Sequence, residues 1–242
     1  ISYARQKFTD VMKAVSEGEA DYGVVPIENS STGGITDIYD HMLEYNIHIV
    51  GEQIIKIEHA LLAKKGVKAE DICKVYSHSQ GIRQCSSFFN SHPDIEAIAV
   101  SSTVAGAKAA AEASDNSSAA IASEKAADVY GLEILKSRIN EQDNNSTRFV
   151  VFSSEKKYIK NAKKISISFE AKHESGALYR ILSHFYRNGI NLEKIESRPI
   201  PDRTWEYRFF VDIAGNLMMQ SVKNSLGGAE EESEGLNILG NY

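Results

Sequence analysis

Cysteine is nearly absent: Cys73 and Cys85 are the two thiols in 242 residues, with no paired spacing. Isolated thiols argue against a disulfide scaffold or a redox motif and fit reduced, partly buried residues in a cytosolic protein. No apolar run approaches the ~20 residues of a membrane span. No signal peptide is visible ahead of the polar stretch that follows Ile1, so the cytoplasm is the default location. Positive charge is in short supply, with 27 basic against 33 acidic residues and a formal charge of −6. No basic cluster interleaves with aromatics, which argues against a nucleic-acid surface as the main business. An anionic ligand would have to be held by local donors and not by a global field. There is no glycine-rich phosphate loop, no GxSxG elbow and no metal-ligand spacing among the seven histidines.

What is present is the patterning of a soluble α/β protein. Phe8, Val11, Met12 and Val15 line one helical face, with Thr9 and Gly18 as caps. A strand over 22–27 leads through a polar connection to a helix over 35–43. Residues 47–57 and 59–63 read as extended. A strand over 72–76 precedes a helix carrying Ile82, Cys85 and Phe89, and a strand over 95–100 precedes an alanine-rich helix from about Thr103. Residues 119–123 and 149–152 read as further strands. This alternation predicts open, largely parallel sheets with helices on their faces.

The lysine-rich stretch 156–164 reads as a linker between a first domain, 1–156, and a second, 164–242. Beyond it Ile165, Ile167 and Phe169 alternate with Ser166, Ser168 and Glu170, the pattern of a half-buried strand. A helical stripe through Leu178, Ile181, Leu182, Phe185 and Tyr186 ends at Asn188-Gly189. Two strands, a polar helix over about 216–225 and a terminal strand from Leu236 complete the order βαββαβ, a ferredoxin-like sandwich.

Four short polar clusters fall at predicted strand ends, where helix N-termini gather free N–H groups. They are PIENSSTGG (26–34), YSHSQGIRQC (76–85), Ser101-Ser102-Thr103, and NNSTRF (144–149). Each has a plain structural reading: Ser102 or Thr103 as a helix cap, Gln80 and Gln84 as a solvated face, Asn144-Asn145 as a turn, His78 as a structural hydrogen-bonding histidine. Together their donors suit carboxylates and hydroxyls.

In this order and rough spacing, the four clusters resemble the prephenate dehydratase family. ESGALYRIL (174–182) and ESRP (196–199) resemble its regulatory ACT domain. The resemblance covers essentially the whole chain. It implies a two-lobed, periplasmic-binding-protein-like catalytic domain with open sheets, followed by the ACT domain. It further implies conversion of prephenate to phenylpyruvate, water and carbon dioxide in phenylalanine biosynthesis. No cofactor or metal is called for, L-phenylalanine is the expected allosteric inhibitor, and the expected assembly is a homodimer or homotetramer.

Carried over residue by residue, the pattern makes Thr147 catalytic. Substrate binding falls to Glu28, Asn29, Ser30, Thr32, Ser77, Gln80, Gln84, Ser102, Thr103, Asn145, Arg148 and Phe149. The effector site is Gly176, Ala177, Leu178, Glu196, Ser197, Arg198 and Pro199, with Ser175 capping the helix after it. Strand periodicity puts Thr147 and Phe149 on one face and Arg148 on the other, leaving Arg148 structural or reaching a carboxylate around the edge. Two departures stand out. The family usually has proline where Ser79 stands, so Ser79 is expected to cap instead. The family also opens with a strand and a glycine-containing loop ahead of the stretch matching Phe8–Val15, and neither stands ahead of it here. The rival readings are arogenate dehydratase, which shares nearly every motif, and a non-catalytic two-lobed amino-acid-binding sensor.

Overall fold

The computed structural model describes residues 1–35, 37–141 and 145–242. Asn144, expected in the last polar cluster, lies outside the described residues. The chain forms two compact units: the first joins 1–54 with 147–242, and the second is 55–146.

The first unit begins with α1 (Phe8–Ser16), β1 (Gly23–Asn29), β2 (Gly33–Gly34), α2 (Asp37–Glu44) and β3 (His48–Lys56). After the second unit the chain returns through β9 (Ser146–Ser153). It then runs through β10 (Lys164–Ala171), α7 (Ala177–Arg187), β11 (Leu192–Pro199), β12 (Tyr207–Ala214), α8 (Gln220–Glu232) and β13 (Glu234–Asn241). All eight strands belong to one sheet, in the order β11-β12-β10-β13-β3-β9-β1-β2. The βαββαβ order therefore appears as expected, but its sheet is continuous with the strands of the N-terminal region. The junction is the parallel pairing of Gly240 with Ile49. There a Cβ on residue 240 would lie 2.3 Å from the Ile49 carbonyl oxygen, so only glycine lets the two backbones meet.

That continuity changes what the serine alternation in β10 means. Ile165, Ile167 and Phe169 pack against Ile181 and Phe185 of α7 and Val222 and Leu226 of α8. Ser166 and Ser168 are buried as well, so β10 is not half-exposed as its pattern predicts. The serine face of the sheet is covered by a second core, in which Phe210, Leu239 and Tyr242 join Ile38, Tyr39 and Met42 of α2 and Val150 and Phe152 of β9. Period-two geometry gives Phe210 to one core and Val211 to the other. The segment read as a linker is likewise pinned: Asn216 donates to the carbonyls of Lys160 and Ala162, and Asn241 donates to that of Ile159.

The second unit contains β4 (Ala60–Ala63), a 3-10 turn (Ala69–Asp71), β5 (Lys74–His78), α3 (Ser79–Gln84), α4 (Ser86–Ser91) and β6 (Glu96–Val100). It continues with α5 (Thr103–Glu112), β7 (Ser118–Ala122), α6 (Glu124–Tyr130) and β8 (Glu133–Lys136). Its sheet runs β6-β5-β7-β4-β8. Among the described residues its β5–β6 and β5–β7 pairings are parallel, while β4 runs antiparallel to both neighbours. The sheets are thus mixed and not largely parallel. The single helix expected around Ile82, Cys85 and Phe89 is two short ones broken at Cys85, whose backbone leaves helical geometry at φ −115°. α1 is preceded by Lys7 without a side-chain cap, and Thr9 lies inside the helix. α8 starts and ends later than the polar pattern suggests. Cys85 is buried and Cys73 exposed, both free. Burial, then the Glu141 carboxylate, pushes the Cys85 thiol up to about 12, which leaves it unreactive near neutrality.

Gly240→Ala is expected to lower unfolding stability by about 1–3 kcal/mol, the usual cost of overpacking. Chemical denaturation of the full chain measures it, and an unchanged midpoint would contradict the close β13–β3 junction.

Candidate active site

In the first unit, the polar connection after β1 is a tight hairpin built around one side chain. Asn29 pairs with Gly33 and Glu28 with Gly34, leaving a three-residue turn. Gly33 closes it at φ +85°, the left-handed position that such turns assign to glycine. The Asn29 Oδ1 accepts from the backbone N–H groups of Ser31 at 2.9 Å and Thr32 at 3.2 Å. Those two donors fix the orientation of the amide. Its Nδ2 therefore donates to Thr147 Oγ1, at 2.9 Å.

Thr147 is opposite Asn29 in the antiparallel β1–β9 ladder, so the two side chains share a face. With its oxygen accepting from Asn29, the Thr147 hydroxyl proton is directed away from that bond, toward any acceptor placed before it. Ser30 and Thr32 are exposed on the same turn. Phe149, two residues on along β9, lies on the Thr147 side and is half-buried.

Glu28 and Arg148 oppose each other on the other face. Glu28 lies 3.2 Å from Lys194 Nζ and 3.8 Å from Arg148. Its side chain thus points away from Thr147, contrary to its expected place beside Asn29. Arg148 is the structural alternative: Nε donates to Glu52 at 2.6 Å, and the two terminal nitrogens donate to Asp212 at 2.5 Å and the Tyr242 hydroxyl at 2.9 Å. Those bonds commit Arg148 inside the fold. Burial by itself would lower its pKa, but Asp212, Tyr242 and Glu52 outweigh burial and hold it above the ordinary arginine value.

In the second unit, Ser77 is fully buried and donates to the Ile121 carbonyl at 2.7 Å, which ties β5 to β7. Its hydroxyl proton is spent on the fold, so Ser77 is not the open donor expected. His78 caps α3 through Nδ1, accepting from Gln80 N at 3.2 Å, and Ser79 is the first residue inside the helix. The cap expected of Ser79 is therefore supplied by His78. Gln84 Oε1 lies 2.8 Å from His59 Nε2, while Gln80 is half-buried. Ser102 caps α5, accepting from Ala105 N at 3.0 Å, and Thr103 is the first residue of that helix. Strands β5 and β6 end side by side, with His78 paired to Val100, so α3 and α5 start next to each other. Asn145 is buried, and its carbonyl accepts from Ile57 N at 2.8 Å.

The candidate effector residues do not all meet in this chain. Gly176 itself stands at the N-cap of α7, in the left-handed region at φ +80°, and Ser175 makes no cap. Beside it lies a cavity of about 310 Å³ lined by Ser175, Ala177, Leu178, Trp205, Tyr207 and Phe209. Ser197 pairs with Phe209 and Pro199 with Tyr207, on the cavity's side of the sheet. Glu196 and Arg198 alternate to the opposite face. There Arg198 donates to Asp40 and Asp37 of α2, both at 2.8 Å, which ties it to the helix that follows the Asn29 hairpin. Trp205, Tyr207 and Phe209 line this cavity and are not among the residues that the sequence pattern marks. The chain's single tryptophan beside two alternating aromatics was the available signal.

Among the described residues, no group of three histidine, cysteine or acidic side chains could hold a metal ion. No described helix is long and apolar enough to cross a membrane.

Comparison with known proteins bears on the family and the fold. The family model for prephenate dehydratase matches residues 2–157, and that for the ACT domain matches 165–230. The chain is 37% identical over 243 residues to a bifunctional chorismate mutase/prephenate dehydratase of Stutzerimonas stutzeri, covering 100% of this chain and 66% of that protein. It is 40% identical over 235 residues to the Aquifex aeolicus bifunctional chorismate mutase/prephenate dehydratase, covering 96% and 64%. The chain thus spans somewhat less than two-thirds of the length of these curated relatives. The crystal structure of an Arthrobacter aurescens prephenate dehydratase in complex with L-Phe superposes with a TM-score of 0.86 at 30% identity, over 98% of this chain and 79% of that one. GqqA, described as a novel type of quorum quenching acylase, superposes at 0.89 with 26% identity, over 98% and 86%. Similarity of fold alone does not select a chemistry.

The Glu52 carboxyl is raised by burial, but hydrogen bonds and charge from Lys164 and Arg148 bring it below its usual 4.5. A carboxyl depressed in the folded state stabilises the protein fully above its unfolded pKa, and that contribution is lost as pH falls through the folded value. Thermal melts below about pH 4.5 are therefore expected to lose more stability in the wild type than in Glu52→Gln, which starts lower at neutral pH. Parallel pH profiles would exclude the paired carboxylate as the cause.

Proposed function

The chain belongs to the prephenate dehydratase family, and from that premise we propose that it converts prephenate to phenylpyruvate under inhibition by L-phenylalanine. The observation that carries this reading is the hydrogen bond from Asn29 Nδ2 to Thr147 Oγ1, made by an amide that its own turn holds in place. Prephenate loses its ring carboxylate as carbon dioxide. The electron pair of that bond enters the ring, and the ring hydroxyl leaves and takes up a proton to become water. Aromatisation supplies the driving force, while hydroxide is the poor leaving group.

Thr147 is the catalytic residue of this reading. Its hydroxyl donates a hydrogen bond to the departing oxygen, where charge develops in the transition state. Asn29 holds that hydroxyl in the donating orientation. Ser30 and Thr32 on the same turn and Phe149 on the same strand are the proposed substrate contacts of the first unit; taken by itself, the second unit offers Gln80, Gln84, Thr103 and Asn145 as its proposed polar contacts. The two carboxylates suit hydroxyl and amide donors and the N-terminus of α5, with no net positive protein needed.

For the effector, the cavity beside Gly176 offers aromatic walls to a phenyl ring and the start of α7 to a carboxylate. Ser197 and Pro199 complete that side. β11 is the outermost strand of its sheet, and its half-exposed Ile195 fits pairing of subunits along this edge in a homodimer or homotetramer. The two free thiols fit a cytoplasmic enzyme of phenylalanine biosynthesis.

Thr147→Ala is expected to lower kcat on prephenate by roughly 10²–10⁴-fold, the range usual for a positioned proton-handling group, with Thr147→Ser retaining more. Phenylpyruvate absorbance measures both, and near-wild-type turnover in the alanine variant removes Thr147 from the mechanism. The same assay with L-phenylalanine added is expected to show suppressed turnover in the wild type. Faster turnover of arogenate than of prephenate would reassign the substrate.

A further inference from the structure

Arg148 follows the proposed catalytic threonine but points to the other face of β9, into a buried cluster that the chemistry does not use. Its side chain is 10% exposed and that of Asp212 3%. Asp212 lies on β12 and Tyr242 directly follows β13, so both partners come from the C-terminal βαββαβ layer. Ser166 of β10 closes the cluster, donating to Asp212 and lying 2.6 Å from the Tyr242 hydroxyl. Glu52 of β3 bridges Arg148 to Lys164 Nζ, at 2.6 and 2.8 Å. One guanidinium thus gathers groups from β3, β12 and the chain's C-terminus onto the strand that carries Thr147.

We infer that Arg148 is a positioning residue, through which Asp212 and Tyr242 of the regulatory layer set the placement of Thr147 on the opposite face of β9. Successive residues of a strand share one backbone, so moving the Arg148 anchor shifts or twists Thr147 with it. The planar fork of arginine binds three partners in fixed directions, whereas a lysine ammonium at that place cannot reproduce them. Glu28 and Lys194 continue the contact on the same face, bringing the residue next to Asn29 under β11 as well. Both partners of the Asn29–Thr147 hydrogen bond therefore have neighbours in sequence held by the C-terminal layer. A change in that layer would reach the hydroxyl through the strand backbone, without touching substrate.

The activity arm of the test rests on the dehydratase reading, and the spectroscopic arm does not. Arg148→Lys, Asp212→Asn, Tyr242→Phe and the Arg148→Lys/Asp212→Asn pair are compared with wild type in the full chain. Misplacement by a distant change costs up to about 10²-fold in rate. The expected result is kcat on prephenate lowered about 10–10²-fold in Arg148→Lys and Asp212→Asn, less in Tyr242→Phe, with KM within about twofold. The pair should be no worse than the poorer single variant, because the two act as one unit. Cooperatively melting variants with wild-type kcat overturn the inference, and so does a loss confined to KM. If Asp212→Asn fails to fold, Tyr242→Phe removes one hydroxyl only, and its unchanged kcat is equally decisive. A wild-type chain silent on prephenate sinks the dehydratase reading alone. The inference then stands or falls on the Thr147 methyl resonance in Tyr242→Phe, which is expected to shift while methyl signals of the second unit stay in place. A Thr147 methyl that does not move overturns it.

Discussion

A buried guanidinium on β9 is the constraint around which the first unit is organised. Taking a charge out of water is costly unless it is paired and fully hydrogen-bonded. Arg148 meets that condition through Glu52, Asp212 and the Tyr242 hydroxyl together. Each partner comes from a different segment, so the requirement can be satisfied only when β3, β9, β12 and the C-terminus stand in one register. The surrounding apolar core, from Met42 to Phe210, supplies most of the burial energy but little direction. The ion cluster supplies the direction.

The same constraint explains why Ser166 is polar yet enclosed. A strand that packs its other face against a carboxylate and a phenol needs small side chains there, and Ser166 adds a hydrogen bond to both. It also explains the raised pKa of Tyr242. Burial opposes ionisation, and the nearby Asp212 charge opposes it further, so the phenol remains a neutral partner for Arg148 and Ser166. Across β9, the polar groups of the other face are arranged by a much smaller device. One asparagine folds its own hairpin and hands its remaining donor to Thr147. The alternation of a strand keeps these two tasks apart by a single residue.

Two further contacts tie the N-terminal elements to the C-terminal layer. Arg198 holds Asp37 and Asp40 on α2, and Lys194 faces Glu28 at the end of β1. The C-terminal layer thus contacts β1, β9 and α2 through charged side chains, whose pairing is sensitive to small displacements because Coulomb energy is concentrated at short range.

The order of elements was legible in the residues themselves. Period-two and helical repeats determined that 164–242 forms βαββαβ, and that Thr147 and Phe149 oppose Arg148, because both follow from the geometry of a single strand or helix. The polar clusters and their order determined the family. What pairs with what was decided by the tertiary structure. The antiparallel run of β4, the sharing of one sheet by N- and C-terminal strands, the enclosure of Ser166, the turning away of Glu28 and the capture of Ser77 by Ile121 all depend on partners distant in the chain. Local sequence records that a group is polar and near a strand end. Whether its donor is left for a ligand or consumed by the fold depends on which distant carbonyl or carboxylate the folded chain brings to it.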